Sequence, residues 1–336
     1  MNNIFSFATS ELSQDAFLCW LINWASPEFA KDERMHRLGV DFVSQLVGVE
    51  SIDVKSCVVK RQWNSIDILC LINDEHVIVI EDKSGSHEHS NQLKRYKKLV
   101  AEAYPTRKRK LWYIQTGNQG VYDNVKKAGY EVMTRERLLS FFETNIQTHG
   151  EIRNNIFYDY YEHLSELQTG ENAYKSTPLG DWNNAHWVGF YKEIERRLAR
   201  NEIPDIFWNW ATNPNGGFMY LQCMRKYSER EGCTLFLQLE QDKLCIKMEV
   251  DSDDKEERKK LRYKYYKAFK SEWSDFSFDK PARFGLGRNM TVAVYVGNYR
   301  VCKDGLIDIG QTCAVIEQAL NIFEHVCKNN FLTYEQ

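Results

Sequence analysis

The sequence has little proline and no long apolar run. With 6 Pro and 18 Gly in 336 residues, it is neither collagen-like nor a proline-rich chain. The longest apolar stretch near the start, 16–25, is interrupted by Asn23 and is too short to span a bilayer. The first residues also lack the basic and apolar segments of a signal peptide. We therefore expect a cytoplasmic protein that makes no membrane contact.

Neither the cysteine spacing nor the net charge is typical of a specialised class of protein. The 9 cysteines are odd in number and form no Cys-x-x-Cys pair, which predicts reduced, buried thiols rather than a disulfide framework. The 44 Lys and Arg nearly balance the 47 Asp and Glu, so any affinity for nucleic acid must come from a local basic surface.

The hydrophobic fraction of 43% is enough for a sizeable core, and the length corresponds to about two domains.

The apolar pattern predicts an α/β first half and an α+β second half. Elements of the first half follow the order helix, three strands, helix, strand, helix, strand, which is typical of a layered α/β domain. Gly, Asn, Ser, Thr and Pro are concentrated in 169–181, which predicts a linker between a domain at 1–168 and a second domain at 182–336. We expect the second domain, with a strand at 283–287 among its elements, to select substrate, to regulate the first domain or to form a homodimer.

Two acidic residues stand at the ends of neighbouring predicted strands. Asp67 begins one strand, and Glu81 lies near the end of the next, with Lys83 two residues further on the same face. A three-residue turn at 73–75 places Asp67 directly opposite Glu81, where Cβ atoms are about 4.5–5.5 Å apart. A two-residue turn would instead place Glu81 opposite Ile68, so the register is itself a prediction.

Two carboxylates at that spacing repel each other unless a cation lies between them. Oxygen ligands with room for water and a phosphate suit a hard divalent ion, which polarises a phosphodiester and lowers the pKa of bound water. Lys83 is placed to orient that water and to stabilise developing negative charge. The alternative is an ordinary charged strand edge, but the apolar flank at 77–80 makes an abrupt acidic pair less expected there.

These residues resemble the core of the PD-(D/E)XK nuclease superfamily, in the restriction-endonuclease-like branch with Ile-Asp-Ile, Ile-Glu-x-Lys and Gln-Leu-x-x-Tyr elements. Here the three elements are 66–68, 80–83 and 92–96, and the resemblance extends over 5–165. It implies an αβββαβ core with a mixed sheet flanked by helices. Two positions depart from the branch: Asp82 replaces the more usual Asn and is expected to face away and to matter little, and Ser65 replaces a basic residue.

The resemblance also implies the roles of the site residues. Asp67 and Glu81 would bind Mg²⁺ or Mn²⁺, with Glu11 of the first helix completing the metal shell. Lys83 would assist the attacking water, and Gln92 would orient groups of the site. The implied activity is hydrolysis of phosphodiester bonds in nucleic acid, DNA more than RNA, in a setting such as bacterial defence against phage or foreign DNA.

Basic residues are concentrated beside the third element. The helix that carries Gln92 and the segment before the next strand together contribute Lys94, Arg95, Lys97, Lys98, Arg107, Lys108 and Arg109. Such a group next to two carboxylates is what a phosphate backbone needs, although a solvated helix face is the alternative. The sequence also leaves open a non-catalytic binding or scaffold protein on the same fold, and an RNase.

Overall fold

The computed structural model describes residues 2–86, 88, 91–212, 216–270, 276–285 and 287–331. The chain forms two compact units, Met1–Thr169 and Gly170–Gln336. The segment 169–181, predicted as a linker from its composition, is instead largely helical: a long helix continues through Asn172, and two short 3-10 turns follow at Ala173–Lys175 and Leu179–Asp181.

The first unit is built on a five-stranded mixed sheet with strand order β1-β2-β3-β4-β5. Strands β1 to β3 pair antiparallel, whereas β3, β4 and β5 pair parallel. The elements, in chain order, are α1 (Glu11–Asn23), α2 (Glu33–Val47), β1 (Cys57–Trp63), β2 (Ile66–Ile72), β3 (His76–Lys83), α3 (Gln92–Ala103), β4 (Lys108–Gln115), α4 (Asp123–Lys127), β5 (Glu131–Thr134), α5 (Arg135–His149) and α6 (Asn155–Asn172). The predicted αβββαβ core with a mixed sheet flanked by helices is confirmed.

Helices cover both faces of this sheet, which explains why β2 and β3 are almost continuously apolar. On one face, β2 and β3 pack against α1, α2, α5 and α6; on the other, they pack against α3 and α4. Phe17 of α1 stacks on Tyr160 of α6 at 3.7 Å between ring centroids. A charged side chain at the end of β3 is therefore surrounded by packed elements rather than by solvent.

The hairpin between β2 and β3 has the predicted register. Ile72 pairs with His76 and Ile68 with Ile80, and Asn73 adopts the left-handed conformation in the three-residue turn. Continued by one residue, the same register sets Asp67 across from Glu81. The β1–β2 hairpin turns at Asn64 and Ser65, both with positive φ, as two-residue hairpin turns of type I′ require.

The second unit contains a six-stranded antiparallel sheet of order β10-β11-β9-β8-β7-β6, as expected of an α+β domain. One apolar core joins this sheet to three long helices. Of the strand predicted at 283–287, residues 283–285 and 287 are described, and none of them is in a strand. The elements are α7 (Asn184–Arg200), β6 (Phe207–Ala211), β7 (Phe218–Ser228), β8 (Cys233–Glu240), β9 (Leu244–Val250), α8 (Lys255–Lys270), β10 (Phe278–Asp279), β11 (Asn289–Tyr295), β12 (Cys302–Lys303), β13 (Leu306–Ile307) and α9 (Ile309–Phe331).

All of the cysteines are free thiols, and Cys302 is the exposed one among them. Burial raises the pKa of the Cys70 thiol well above its ordinary value, so this thiol is held in its unreactive, protonated form. None of the helices in the described part of the chain is long and apolar enough to cross a membrane.

Candidate active site

Three carboxylates surround one ammonium group at the end of β3. The Lys83 Nζ atom lies 2.6 Å from Glu81 Oε1 and 3.7 Å from both Asp67 Oδ2 and Glu11 Oε2. It also donates a hydrogen bond to the carbonyl oxygen of Asp82 at 2.9 Å. The negative charges stabilise the protonated amine, and the pKa of Lys83 is raised although burial opposes this. The predicted residues Glu11, Asp67, Glu81 and Lys83 are thus brought together.

Glu81 is the most deeply buried acid of this group, with no exposed surface. Its Oε1 atom accepts hydrogen bonds from Lys83 and, at 2.8 Å, from Gln92 Nε2. Its Oε2 atom is buried and has no hydrogen-bond partner among the described residues. Burial and the nearby Asp67 carboxylate raise the pKa of Glu81 to about 7 despite Lys83.

Gln92 joins the site because α3 begins beside β3. Its amide donates to Glu81 and, at 3.0 Å, to the hydroxyl of Tyr96 one turn later. The Tyr96 hydroxyl in turn donates to the carbonyl oxygen of Ser65 in the β1–β2 turn. The Gln-Leu-x-x-Tyr element therefore connects the metal-binding candidates to the hairpin that carries Asp67. Ser65 contributes its backbone, which any residue at that position supplies.

Glu11 is positioned by the start of α1 and by the loop after β3. Ser10 caps the helix through a hydrogen bond from Ser13 N. Glu11 Oε1 accepts from the Ser86 hydroxyl at 2.6 Å and from Ser84 N at 3.4 Å. Burial opposes ionisation, but these hydrogen bonds and the Lys83 ammonium keep the pKa of Glu11 below its ordinary value. Glu11 is therefore ionised at neutral pH.

Asp67 is oriented by a residue that the sequence analysis missed. The Gln62 amide donates to Asp67 Oδ1 at 3.2 Å and to Asp15 Oδ2 at 3.1 Å, while the backbone N–H of Asp82 donates to Asp67 Oδ2 at 3.0 Å. Gln62 lies in β1 with φ of 52°, and such strained positions are concentrated at functional sites. Its place opposite Asp67 follows from the Asn64-Ser65 turn, so the signal was present in the sequence.

Asp82 points away from Glu81, as predicted, but the expectation that it matters little does not fit its surroundings. It is completely buried, and its Oδ1 accepts from Gln14 Nε2 at 2.5 Å. Burial raises its pKa well above the ordinary value. Burial and Asp67 raise the pKa of the neighbouring Asp15 to about 6. Asp15 and Asp82 thus form a second pair of acids on the face of the sheet that α1 covers. The spacing of Glu11 and Asp15, which places both on one face of the helix, could have indicated this second pair.

Buried glutamines hold the loop that follows β3. The Gln115 amide donates to the carbonyl oxygen of Ser86 at 3.1 Å and to Gln119 Oε1 at 3.2 Å, and the Gln119 amide donates to Glu88 at 3.3 Å. Gln115 ends β4 and is 1% exposed. Because Ser86 contacts Glu11, these glutamines fix one of the three carboxylates of the site. Residues 87, 89 and 90 of this loop lie outside the described residues.

The donor set suits a hard divalent ion, although the acids are gathered around Lys83. No three His, Cys, Asp or Glu side chains in the described part of the chain are spaced to hold a metal together. However, Mg²⁺ is commonly bound by one or two carboxylates plus waters and substrate phosphate. Asp67 and Glu81 supply two carboxylates, and the buried Glu81 Oε2 accepts no hydrogen bond from the described residues. These residues fit such an ion.

The predicted basic residues do not form one cluster. Lys94, Arg95, Lys97 and Lys98 are exposed on α3, which begins at the site. Because β4 is parallel to β3, Lys108 pairs with His76 at the start of β3. Glu81 lies near the other end of β3, five residues further along the strand, which corresponds to about 17 Å.

Arg107, Lys108 and Arg109 therefore lie at the far end of the sheet from the carboxylates. The Arg107 guanidinium donates to the carbonyl oxygens of Asn73 and His76 at 2.7 and 3.2 Å. Lys108 Nζ is 3.8 Å from a carboxylate oxygen of Glu75. These contacts stabilise the β2–β3 turn, so the expectation that the three residues flank the carboxylates is wrong.

The comparison with known families agrees with this geometry. Residues 2–155 match a family model of the PD-(D/E)XK nuclease superfamily. The match covers almost the whole first unit and includes the sheet, Glu11, Asp67, Glu81, Lys83 and Gln92. The N-terminal unit is thus a PD-(D/E)XK-type domain, and its family indicates a nuclease-like function. No curated protein and no solved structure gives a significant match to the chain.

Proposed function

We propose that this protein is a divalent-metal-dependent nuclease that hydrolyses phosphodiester bonds of DNA. The observation that carries the proposal is the convergence of Asp67, Glu81, Lys83 and Gln92 at one strand end. Asp67 and Glu81 would hold Mg²⁺ or Mn²⁺, and Glu11 would complete the ligand set. When bound, the ion supplies a Lewis acid and lowers the pKa of a coordinated water.

Each side chain of the site has a distinct task in the proposed reaction. Lys83 remains protonated and presents a positive charge where negative charge develops on the phosphate. Gln92 and Lys83 fix the orientation of Glu81, and Gln62 fixes that of Asp67. Water adds to phosphorus while the bond from phosphorus to the 3′ oxygen breaks, and the leaving oxygen takes up a proton. The products are a 5′-phosphate and a 3′-hydroxyl.

The substrate backbone is proposed to lie along the first turns of α3. Lys94 and Arg95 follow Gln92 by two and three residues and are the exposed basic residues nearest the site along this helix. Contacts of this kind position a backbone without reading its sequence. Lys97 and Lys98 extend the same surface, whereas Arg107, Lys108 and Arg109 are left out of the proposed interface.

A cleavage assay with matched variants tests the proposal. Supercoiled, linear and single-stranded DNA and RNA are incubated with Mg²⁺ or Mn²⁺ and the wild-type protein, Asp67→Asn or Lys83→Met. Glu102→Gln and Lys127→Met change the same charges at exposed positions on α3 and α4 and serve as controls. We expect the controls to cleave DNA and the two site variants to be inactive. Equal cleavage by site variants and wild type would show that the activity is a contaminant or that the site is wrong.

Two further outcomes identify the alternatives. Calorimetry with Mn²⁺ in the absence of nucleic acid separates an enzyme from a scaffold, because a scaffold that has no metal site gives no heat. Cleavage of RNA but not DNA, with the same dependence on Asp67 and Lys83, identifies an RNase.

We also propose that the activity serves bacterial defence against phage or foreign DNA, a setting supported by the family resemblance. Phage plating on cells that express the wild type or Asp67→Asn tests it. Protection that requires the intact carboxylate supports the role, and equal plating on both strains contradicts it.

A further inference from the structure

A cavity of about 580 Å³ lies in the second unit. Leu244, Ile246 and Met248 of β9 point into the apolar core, so the intervening Cys245 is directed to the other face of the sheet. Cys245 and residues of β8 and β11 form the floor, and the segment 280–283 forms a wall. A cavity of this size accommodates a small organic ligand rather than a single ion.

The lining of this cavity is basic. Lys243, Lys280 and Arg283 are its cationic side chains, and Glu240 is its acidic one. Glu240 is already neutralised, because Lys247 Nζ lies 2.6 Å and Lys243 Nζ 3.4 Å from its carboxylate. Lys243 also lies 3.8 Å from Asp242.

By contrast, Lys280 and Arg283 have no acidic partner within ion-pair distance in the part of the chain that the structure describes. Lys280 instead lies 4.7 Å from the ring centroid of Phe284. Two cations of the wall are therefore available to an anionic ligand.

A buried arginine attaches the wall to the sheet and adds a further positive charge. Arg262 of α8 is 1% exposed, and its Nη2 donates to the carbonyl oxygens of Arg283 and Thr291, both of which line the cavity. The guanidinium lies 3.8 Å from the ring centroid of Phe284.

Its Nε and Nη1 atoms have no hydrogen-bond partner among the described residues. A buried cation without a counter-ion destabilises a fold, and an anion in the adjoining cavity offsets that cost.

We propose that this cavity binds a nucleoside phosphate, with the phosphate facing Lys280 and Arg283. The positive charge of the wall favours a phosphate group, and the volume of the cavity is larger than inorganic phosphate alone would fill. Cys245, Val294, Pro281 and Ala282 provide an apolar surface for a base or sugar. A free nucleotide and the 5′-phosphate end of a nucleic-acid strand share this chemistry.

Calorimetry on the full chain tests the proposal with AMP, adenosine and inorganic phosphate as probes. We expect AMP to bind more tightly than either of the other probes. The double variant Lys280→Ala/Arg283→Ala should weaken AMP binding about tenfold or more, because a hydrogen bond to a charged group contributes at least that factor. Ala282→Trp should weaken AMP binding without changing any charge, because it fills the cavity.

Two controls isolate the cavity. Lys260→Ala/Lys267→Ala removes two exposed charges of α8 and should leave AMP binding unchanged, as should Asp67→Asn. A 5′-phosphorylated tetranucleotide, compared with its unphosphorylated form, distinguishes a strand end from a free nucleotide. The proposal is overturned if AMP does not bind at millimolar concentration, if adenosine binds equally well, or if Asp67→Asn rather than the cavity variants abolishes binding.

Discussion

Glu81 makes the stability of the metal-free N-terminal unit depend on pH. Its pKa in the folded protein is about 7, against 4.5 for the unperturbed group. Between these values the folded state binds more protons at Glu81 than the unfolded state does, so stability falls as pH rises. Above pH 7 the cost of ionising Glu81 reaches about 3 kcal/mol.

Glu81→Gln removes this titration while preserving the shape of the side chain. The attraction between Glu81 and Lys83 needs no separate correction, because it already lowers the pKa of Glu81 and is part of the value of about 7. We expect the wild type to lose about 3 kcal/mol more than the variant between pH 5 and pH 8. Asp15, whose pKa of about 6 is also raised, contributes a pH-dependent loss to both proteins and is removed by the comparison.

The measurement must report on the N-terminal unit alone, because the chain forms two units. Urea titration in EDTA, followed by hydrogen exchange of peptides from β3, gives a local free energy of unfolding. Adding Mg²⁺ at pH 8 should restore stability to the wild type and not to Glu81→Gln. The same loss of stability between pH 5 and pH 8 in both proteins would refute the reasoning, since it would mean that Glu81 ionises at its ordinary pKa.

Three other substitutions have defined expected effects. Gly117→Ala would bring a Cβ within 2.0 Å of the carbonyl oxygen of Ser84, so we expect it to displace the loop after β3 and reduce cleavage with little change in circular dichroism. Phe17→Ala should cost about 3–5 kcal/mol in urea unfolding of the N-terminal unit, whereas Leu12→Ala, at a residue 51% exposed, should cost almost nothing. Gln62→Leu removes a hydrogen bond that lowers the pKa of Asp15, so the Asp15 titration, followed by NMR, should move to higher pH; an unchanged titration would contradict the assigned contact.

The predicted strand register agrees with the observed register where turn residues determine the backbone conformation. A three-residue turn with Asn73 in the left-handed region fixes the β2–β3 register, and register alone decides which side chains face each other. This is why Asp67 and Glu81 could be paired from the sequence. At 169–181, where small and polar residues predicted a linker, a helix continues through Asn172.

The basic residues show a different limit. Lys94 and Arg107 are close in the sequence, and both follow the Glu-x-Lys element. The intervening helix α3 carries the chain back along β3, and the parallel β4 starts beside His76. Residues at the two ends of a crossover helix lie at opposite ends of the sheet. Arg107 is therefore far from the carboxylates, although it is close to Lys94 in the sequence.

The sequence by itself determined the strand register, the faces of β3 and the identity of the acidic pair, because hydrophobic period, turn residues and side-chain alternation are local properties of the chain. Only the tertiary structure decided which groups surround that pair. Asp15 comes from α1, which meets the β2–β3 hairpin through packing, and the pKa of Glu81 is set mainly by burial from elements distant in sequence. Desolvation and hydrogen bonding depend on all of these elements at once, and no local pattern encodes them.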